Sequence, residues 1–269
     1  MLETLSPGCS HGQILKSLAA SDFILTEINH PAKSKISDHA HENAHFCFVL
    51  DGAYTESDAG RKFHCKPLSV TFRPSGEIHA DNFDQSGARV FILEVPPKWL
   101  DRLAESNLKL DNSLQLAAGL LPQLISRVHH EFHNPDASAP LVIEGLALEV
   151  LAHASRCSGD KAAATPKWLK QAVELLRSRY RETLTLEFIA AEVDIHPVHL
   201  AATFKQKYGC TVGEYVRQLR VEFVCREIIK GKNTLARIAL DAGFANQSQL
   251  TKTFKRQLGT TPARYRNSV

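Results

Sequence analysis

Four histidines in the first third of the chain have the spacing of a shared ligand site. His39, His41 and His45 read His-x-His-x-x-x-His, and His79 follows Pro74-x-Gly76-x-x. Neutral imidazole suits zinc, nickel, iron or copper, so a divalent transition metal is one occupant this set would accept. Along an extended chain every second side chain shares a face, which puts His39, His41 and His45 on one strand face where His79 can join them. A metal-free pocket for a small molecule, or histidines hydrogen-bonded within a core, remain open alternatives. A second chemical group lies near the C-terminus: Gln247, Ser248, Gln249 and Lys252, followed by Lys255 and Arg256. These side chains offer amide, hydroxyl and cationic hydrogen-bonding groups.

The histidines require strands to hold them. Within residues 21–95, β-branched and aromatic runs at 46–50, 68–72 and 88–95 are bounded by turn signals at Asp51-Gly52, Ala59-Gly60 and Pro74-Ser75-Gly76. An antiparallel barrel or jelly roll is the predicted architecture. Cys47 and Cys65 fall in these strands, where packing is a better expectation than redox sensing. The six cysteines form no Cys-x-x-Cys pair, and no apolar run approaches the roughly 18 residues of a membrane span. A reduced, cytoplasmic setting without a membrane partner is the expectation.

The C-terminal group requires helices, and the sequence supplies them twice. Thr185-Leu186-x-x-Ile189-Ala190 recurs as Thr234-Leu235-x-x-Ile238-Ala239, and Leu200, Phe204-Lys205, Gly209 and Tyr215 recur as Leu250, Phe254-Lys255, Gly259 and Tyr265. Each copy reads as helix, tight turn, helix, with a threonine as N-cap. Gly243 marks the second turn and Asp194 stands at the matching place in the first, while Phe244 is placed to plug the core. Residues 212–230 between the copies read as one helix of about 27 Å, comparable to the ~34 Å repeat of B-DNA. From position 166 onward there are 18 Lys and Arg against 9 Asp and Glu, a net +9 that leaves −6 for the rest. That asymmetry is compatible with a phosphate backbone as partner of the C-terminal part, although many solvated surfaces are equally basic.

The run Gly243-Phe244-x-x-Gln247 to Lys255, followed by Gly259-Thr260-Thr261-Pro262-x-x-Tyr265, resembles the signature of the AraC/XylS transcription regulators. The resemblance implies that the second helix of each copy is a recognition helix entering double-stranded DNA. In the second copy it would present Gln247, Ser248, Gln249 and Lys252, with Lys255 and Arg256 flanking. In the first copy the matching positions are Val198, His199, Ala201 and Ala202, with Lys205 and Lys207 toward phosphate. Few base hydrogen bonds can come from the first set, so thymine methyls or groove shape are its expected targets. The histidine pattern resembles the two motifs of cupins, although His45 stands where a carboxylate is expected.

These readings combine into an α+β chain: a cupin-like β-barrel (1–105), a helical dimerisation hairpin (106–158), a linker (159–166) and an all-α domain with two helix-turn-helix units (167–269). The hairpin rests on helical spacing at 114–132 and 141–157 around Asn134-Pro135-Asp136. His129, His130 and His133 are expected on its solvated face. The predicted function is transcription regulation in response to a metal or small-molecule effector, by a non-enzymatic homodimer that would also contact RNA polymerase if it activates. The competing class is a cupin metalloenzyme of oxygenase type with an accessory DNA-binding domain.

Overall fold

A computed structural model describes residues 2–58, 60–116, 120–159, 166–258 and 260–268. Most of the expected linker, Gly259 of the repeat and Ala59 lie outside the described residues. The chain divides into an N-terminal body, Met1–Ala117 with Glu131–Gly159, and a C-terminal body, Ala118–His130 with Asp160–Val269.

The N-terminal body is a curled β-sheet. Its strands are β1 (Glu3–Leu5), β2 (Gln13–Ala20), β3 (Phe23–His30), β4 (Lys35–His41), β5 (Ala44–Asp58), β6 (Arg61–Cys65), β7 (Val70–Arg73), β8 (His79–Val95) and β9 (Leu114–Leu116). Strands β5 and β8 form the spine, antiparallel and long enough to change partners along their length. One half of β8 pairs with β4 and the other with β3, while β5 carries β7 near its start and β6 near its end. The bend between halves falls at Gly52 and Gly87, both at positive φ. A Cβ on Gly52 would lie 2.0 Å from the Gly87 carbonyl oxygen, so only two bare backbones fit at this corner. β1 joins β4 in parallel, the one departure among the described strands from the antiparallel expectation.

Alternation along the spine separates two faces. Cys47, Val49, Val90 and Ile92 pack in one buried cluster with Tyr54 and Phe83. The opposite face carries Phe91, whose ring lies 5.2 Å from that of Phe132, and Phe23 stacks on Trp99 of α1 (Pro97–Glu105) at 5.7 Å.

The helical pair differs from expectation at its start. Leu114–Leu116 pairs with β7 as a strand, so helix α2 begins only at Leu120 and runs to His133, before α3 (Ala139–Gly159). Backbone hydrogen bonding to a strand edge outweighed the helical spacing of these residues. His133 is also not simply solvated, because its Nε2 lies 2.5 Å from Oε2 of buried Glu27 on β3.

The C-terminal body contains α4 (Lys167–Arg179), α5 (Leu186–Glu192), α6 (Pro197–Tyr208), α7 (Val212–Lys230), α8 (Leu235–Asp241), α9 (Gln247–Leu258) and α10 (Pro262–Ser268). Thr185 and Thr234 cap α5 and α8 as the sequence indicates, accepting from the amides of Phe188 and Arg237. The repeat extends to ring geometry: Phe204 meets Tyr215 edge to face at 5.3 Å, and Phe254 meets Tyr265 likewise at 5.5 Å. Asp194 adopts φ 53° and Gly243 φ 86°, so the first copy does make its turn with an aspartate in the left-handed region.

Candidate effector site and nucleic-acid interface

Two strands that pair in register bring the first histidines together. His39 on β4 stands opposite His79 on β8, with ring centroids 4.2 Å apart, and His41 follows on the same face of β4. The donor atoms of His39, His41 and His79 all lie within 4.8 Å of one another, and all three residues are buried. His45 corrects the one-strand expectation. The chain turns at Glu42-Asn43, so His45 belongs to β5 and reaches the cluster from a different strand. Its ring is 4.3 Å from that of His41 but 6.1 Å from that of His79, which places it at the margin of the donor set.

Second contacts orient two of the rings. Nδ1 of His39 donates to the Ser37 carbonyl at 3.0 Å, and Nδ1 of His79 donates to the Glu77 carbonyl at 3.2 Å. With the proton on Nδ1, each Nε2 keeps its lone pair, the arrangement a ligating histidine requires. Burial, reinforced by the neighbouring imidazoles, brings His41 down to about 4 and His79 to about 3, and also lowers His39. Burial, reinforced by His41 and His79, pushes His45 well below the usual range. The rings are therefore neutral near pH 7 and carry available donor nitrogens.

The space they enclose is small, about 40 Å³, with room for an ion and a water or two rather than the roughly 300–1,000 Å³ of an organic-ligand pocket. Its lining includes Glu56, Asp81, Tyr54 and Cys47. Beneath it the buried guanidinium of Arg73 pairs with Glu56 and Asp58. Burial raises Asp81, and it pushes the Cys47 and Cys65 thiols up to about 12, so neither cysteine has thiolate character. Sequence reasoning missed His11, whose ring meets that of His39 at 4.9 Å, and His30 on β3, which also lines the cavity. Neither shares a local spacing pattern with the four, since only the sheet brings them near.

In the C-terminal body, all six expected residues of α9 are exposed: Gln247, Ser248, Gln249, Lys252, Lys255 and Arg256. Gln249 has a second task. Its Oε1 accepts from the Ala245 amide at 2.8 Å while its own backbone amide donates to Asn246 Oδ1 at 2.9 Å, so it helps start its own helix. On α6, Val198, Ala201, Ala202 and Lys205 line one cleft together with Gln249. His199 does not line it, its ring lying 5.5 Å from that of Trp168, and Lys207 is half-buried. The cleft adds Arg217 and Arg220 of α7, to which sequence reasoning assigned no role; the Arg220 guanidinium is turned to backbone carbonyls rather than to the open cleft. Position on the connecting helix, outside the repeat pattern, hid them.

Paired helix-turn-helix units with exposed second helices define a DNA-binding regulator, and comparison with known proteins gives the family. The AraC-like ligand binding domain matches residues 22–151, and a helix-turn-helix domain matches residues 189–268. The probable transcription factor PqrA of Proteus vulgaris is 34% identical over 102 residues, 38% of this chain and 80% of its own length. The bifunctional transcriptional activator/DNA repair enzyme AdaA of Bacillus subtilis is 34% identical over 100 residues, 37% of this chain and 47% of its own length. The transcriptional activator RhaR of Klebsiella pneumoniae is 26% identical over 193 residues, 69% of this chain and 64% of its own. The chain thus spans about half the length of AdaA and more of the other two. It belongs to the AraC-like transcription regulators, with an N-terminal ligand-binding domain and a C-terminal DNA-binding domain. Among the described residues no helix is long and apolar enough to cross a membrane.

Proposed function

We propose that this regulator senses a divalent transition metal, zinc, nickel, iron or copper, held by His39, His41 and His79 with His45 adjoining. The observation that carries the reading is the set of three buried imidazoles with donor atoms within 4.8 Å of one another. The enclosed volume of about 40 Å³ supports an ion over an organic effector. When bound, the metal would supply positive charge and tie β4 to β8, strands that otherwise meet through a register broken between Ile36 and His39. The domain senses rather than turns over substrate.

The reading includes base contacts from Gln247, Ser248, Gln249 and Lys252, and groove-shape or thymine-methyl contacts from Val198, Ala201 and Ala202. Lys205, Lys207, Lys255 and Arg256 face phosphate, and His199 supports α6 against Trp168. It also includes a cytoplasmic homodimer joined through α2 and α3, supported by Leu141 and Val142, apolar and exposed near the start of α3. RNA polymerase is a further partner if the protein activates.

Elemental analysis of the full chain purified without a histidine tag tests the metal, with thermal unfolding in chelator and His41→Ala and His79→Ala alongside. About one equivalent of metal, a lower unfolding midpoint in chelator and loss of both in the variants are expected. Metal-free protein whose midpoint responds to none of the four ions ends the reading.

A further inference from the structure

The two turns of the repeat differ for a reason outside the repeat. Asp194 makes its turn exposed at φ 53°, whereas a Cβ on Gly243 would fall 2.2 Å from the Arg181 carbonyl oxygen and 2.9 Å from Arg181 Cα. The second turn therefore lies backbone to backbone on the loop that enters the first helix-turn-helix. Arg220, half-buried midway along α7, closes the same junction. Its Nε donates to the Tyr180 carbonyl at 2.7 Å, Nη2 to the Glu182 carbonyl at 2.8 Å, and Nη1 to the Gly243 carbonyl at 2.6 Å. Two of these carbonyls belong to the loop between α4 and α5 and the third to the turn between α8 and α9. The planar fork of a guanidinium makes three charge-assisted bonds at once, and a lysine cannot. Arg181 adds a layer by stacking on the Phe223 ring of α7 at 4.4 Å.

The second copy also packs on α7 through α8, α9 and α10, and Gly231 turns the chain at the end of that helix at φ 68°, so this junction is what ties the second copy to the loop of the first rather than to α7 alone. We propose that Arg220 is a positioning residue that fixes the separation and rotation of α6 against α9, and so sets the half-site spacing that one chain accepts. The proposal rests on the reading that both helices enter DNA. One inserted base pair rotates the second groove by about 35° and moves it about 3.4 Å, more than a clamped head can follow.

The test uses the full chain on duplexes selected from a random-sequence library, with half-sites mapped by hydroxyl-radical footprinting. Wild type is expected to lose about tenfold in affinity for each base pair added or removed between half-sites, the scale of one mismatched base pair. Arg220→Ala should lose about tenfold on the best spacing, respond less than about threefold to spacing, and bind a single half-site as wild type does. Arg220→Lys should fall between them. In DNA-free protein, spin labels at positions 202 and 248, with Cys9 and Cys157 replaced by serine, should give a narrow distance distribution that broadens in Arg220→Ala.

An unchanged spacing penalty with an unchanged distribution overturns the proposal. So does equal loss on one and two half-sites with a smaller salt slope, which would make Arg220 a phosphate contact. A wild-type footprint confined to one half-site defeats the two-helix reading instead, and the distance distribution then decides the clamp.

Discussion

Exchanging the turn residues of the two repeats tests how differently the fold treats them. Gly243→Asp installs the residue that the first copy uses at the same place. Aspartate in the left-handed region costs about 1 kcal/mol. Its Cβ must also escape a 2.2 Å approach to the Arg181 oxygen, and overpacking of this kind costs about 1–3 kcal/mol. The sum is about 2–4 kcal/mol, and more if the shift also breaks the 2.6 Å bond from Arg220 to the Gly243 carbonyl. The reciprocal change, Asp194→Gly, relieves about 1 kcal/mol of strain but returns a similar entropy to the unfolded chain, so it should be neutral within about 0.5 kcal/mol. Urea unfolding of the full chain, followed by tryptophan fluorescence and by DNA-binding competence, measures both. A loss below about 1 kcal/mol for Gly243→Asp would refute the close backbone approach.

Three further outcomes follow from the same geometry. His30, held at about 4 by burial and then by His11 and His39, binds its proton more weakly folded than unfolded. Its contribution is complete above the unfolded value near 6.5 and is lost as pH falls from there toward 4, so in chelator His30→Phe should flatten the acid decline of the unfolding midpoint. Cys47 and Cys65, buried with thiols near 12, should stay unlabelled by a disulfide reagent at pH 8 until the protein unfolds; rapid labelling in native buffer would reverse that reading. Lys252→Ala should reduce the slope of log affinity against log salt by about 1 or relax sequence preference at one base pair, and a variant unchanged in both would remove α9 from the interface.

Local chemistry was legible wherever neighbours in sequence are neighbours in space. The bounds of α7, the threonine caps, the left-handed turns at Asp194 and Gly243 and the exposure of α9 all follow from periods and propensities within a few residues. Leu114–Leu116 shows where that reach ends, because a helical spacing yields to a strand partner 44 residues away at β7.

For the candidate effector site, the sequence by itself determined that four histidines sit within 41 positions of one another and that strands carry them. Only tertiary structure decided that His45 arrives from a second strand, that His79 faces His39 across the β4–β8 pair, and that His11 and His30 border the same cavity. The reason is that side-chain convergence in a sheet depends on register and on the bend at Gly52 and Gly87, both set by pairing between distant strands. The reading head divides the same way. Repetition in the sequence determined that there are two helix-turn-helix units, and the packing of Arg220 and Gly243 on the loop at Arg181 decided how one is held against the other.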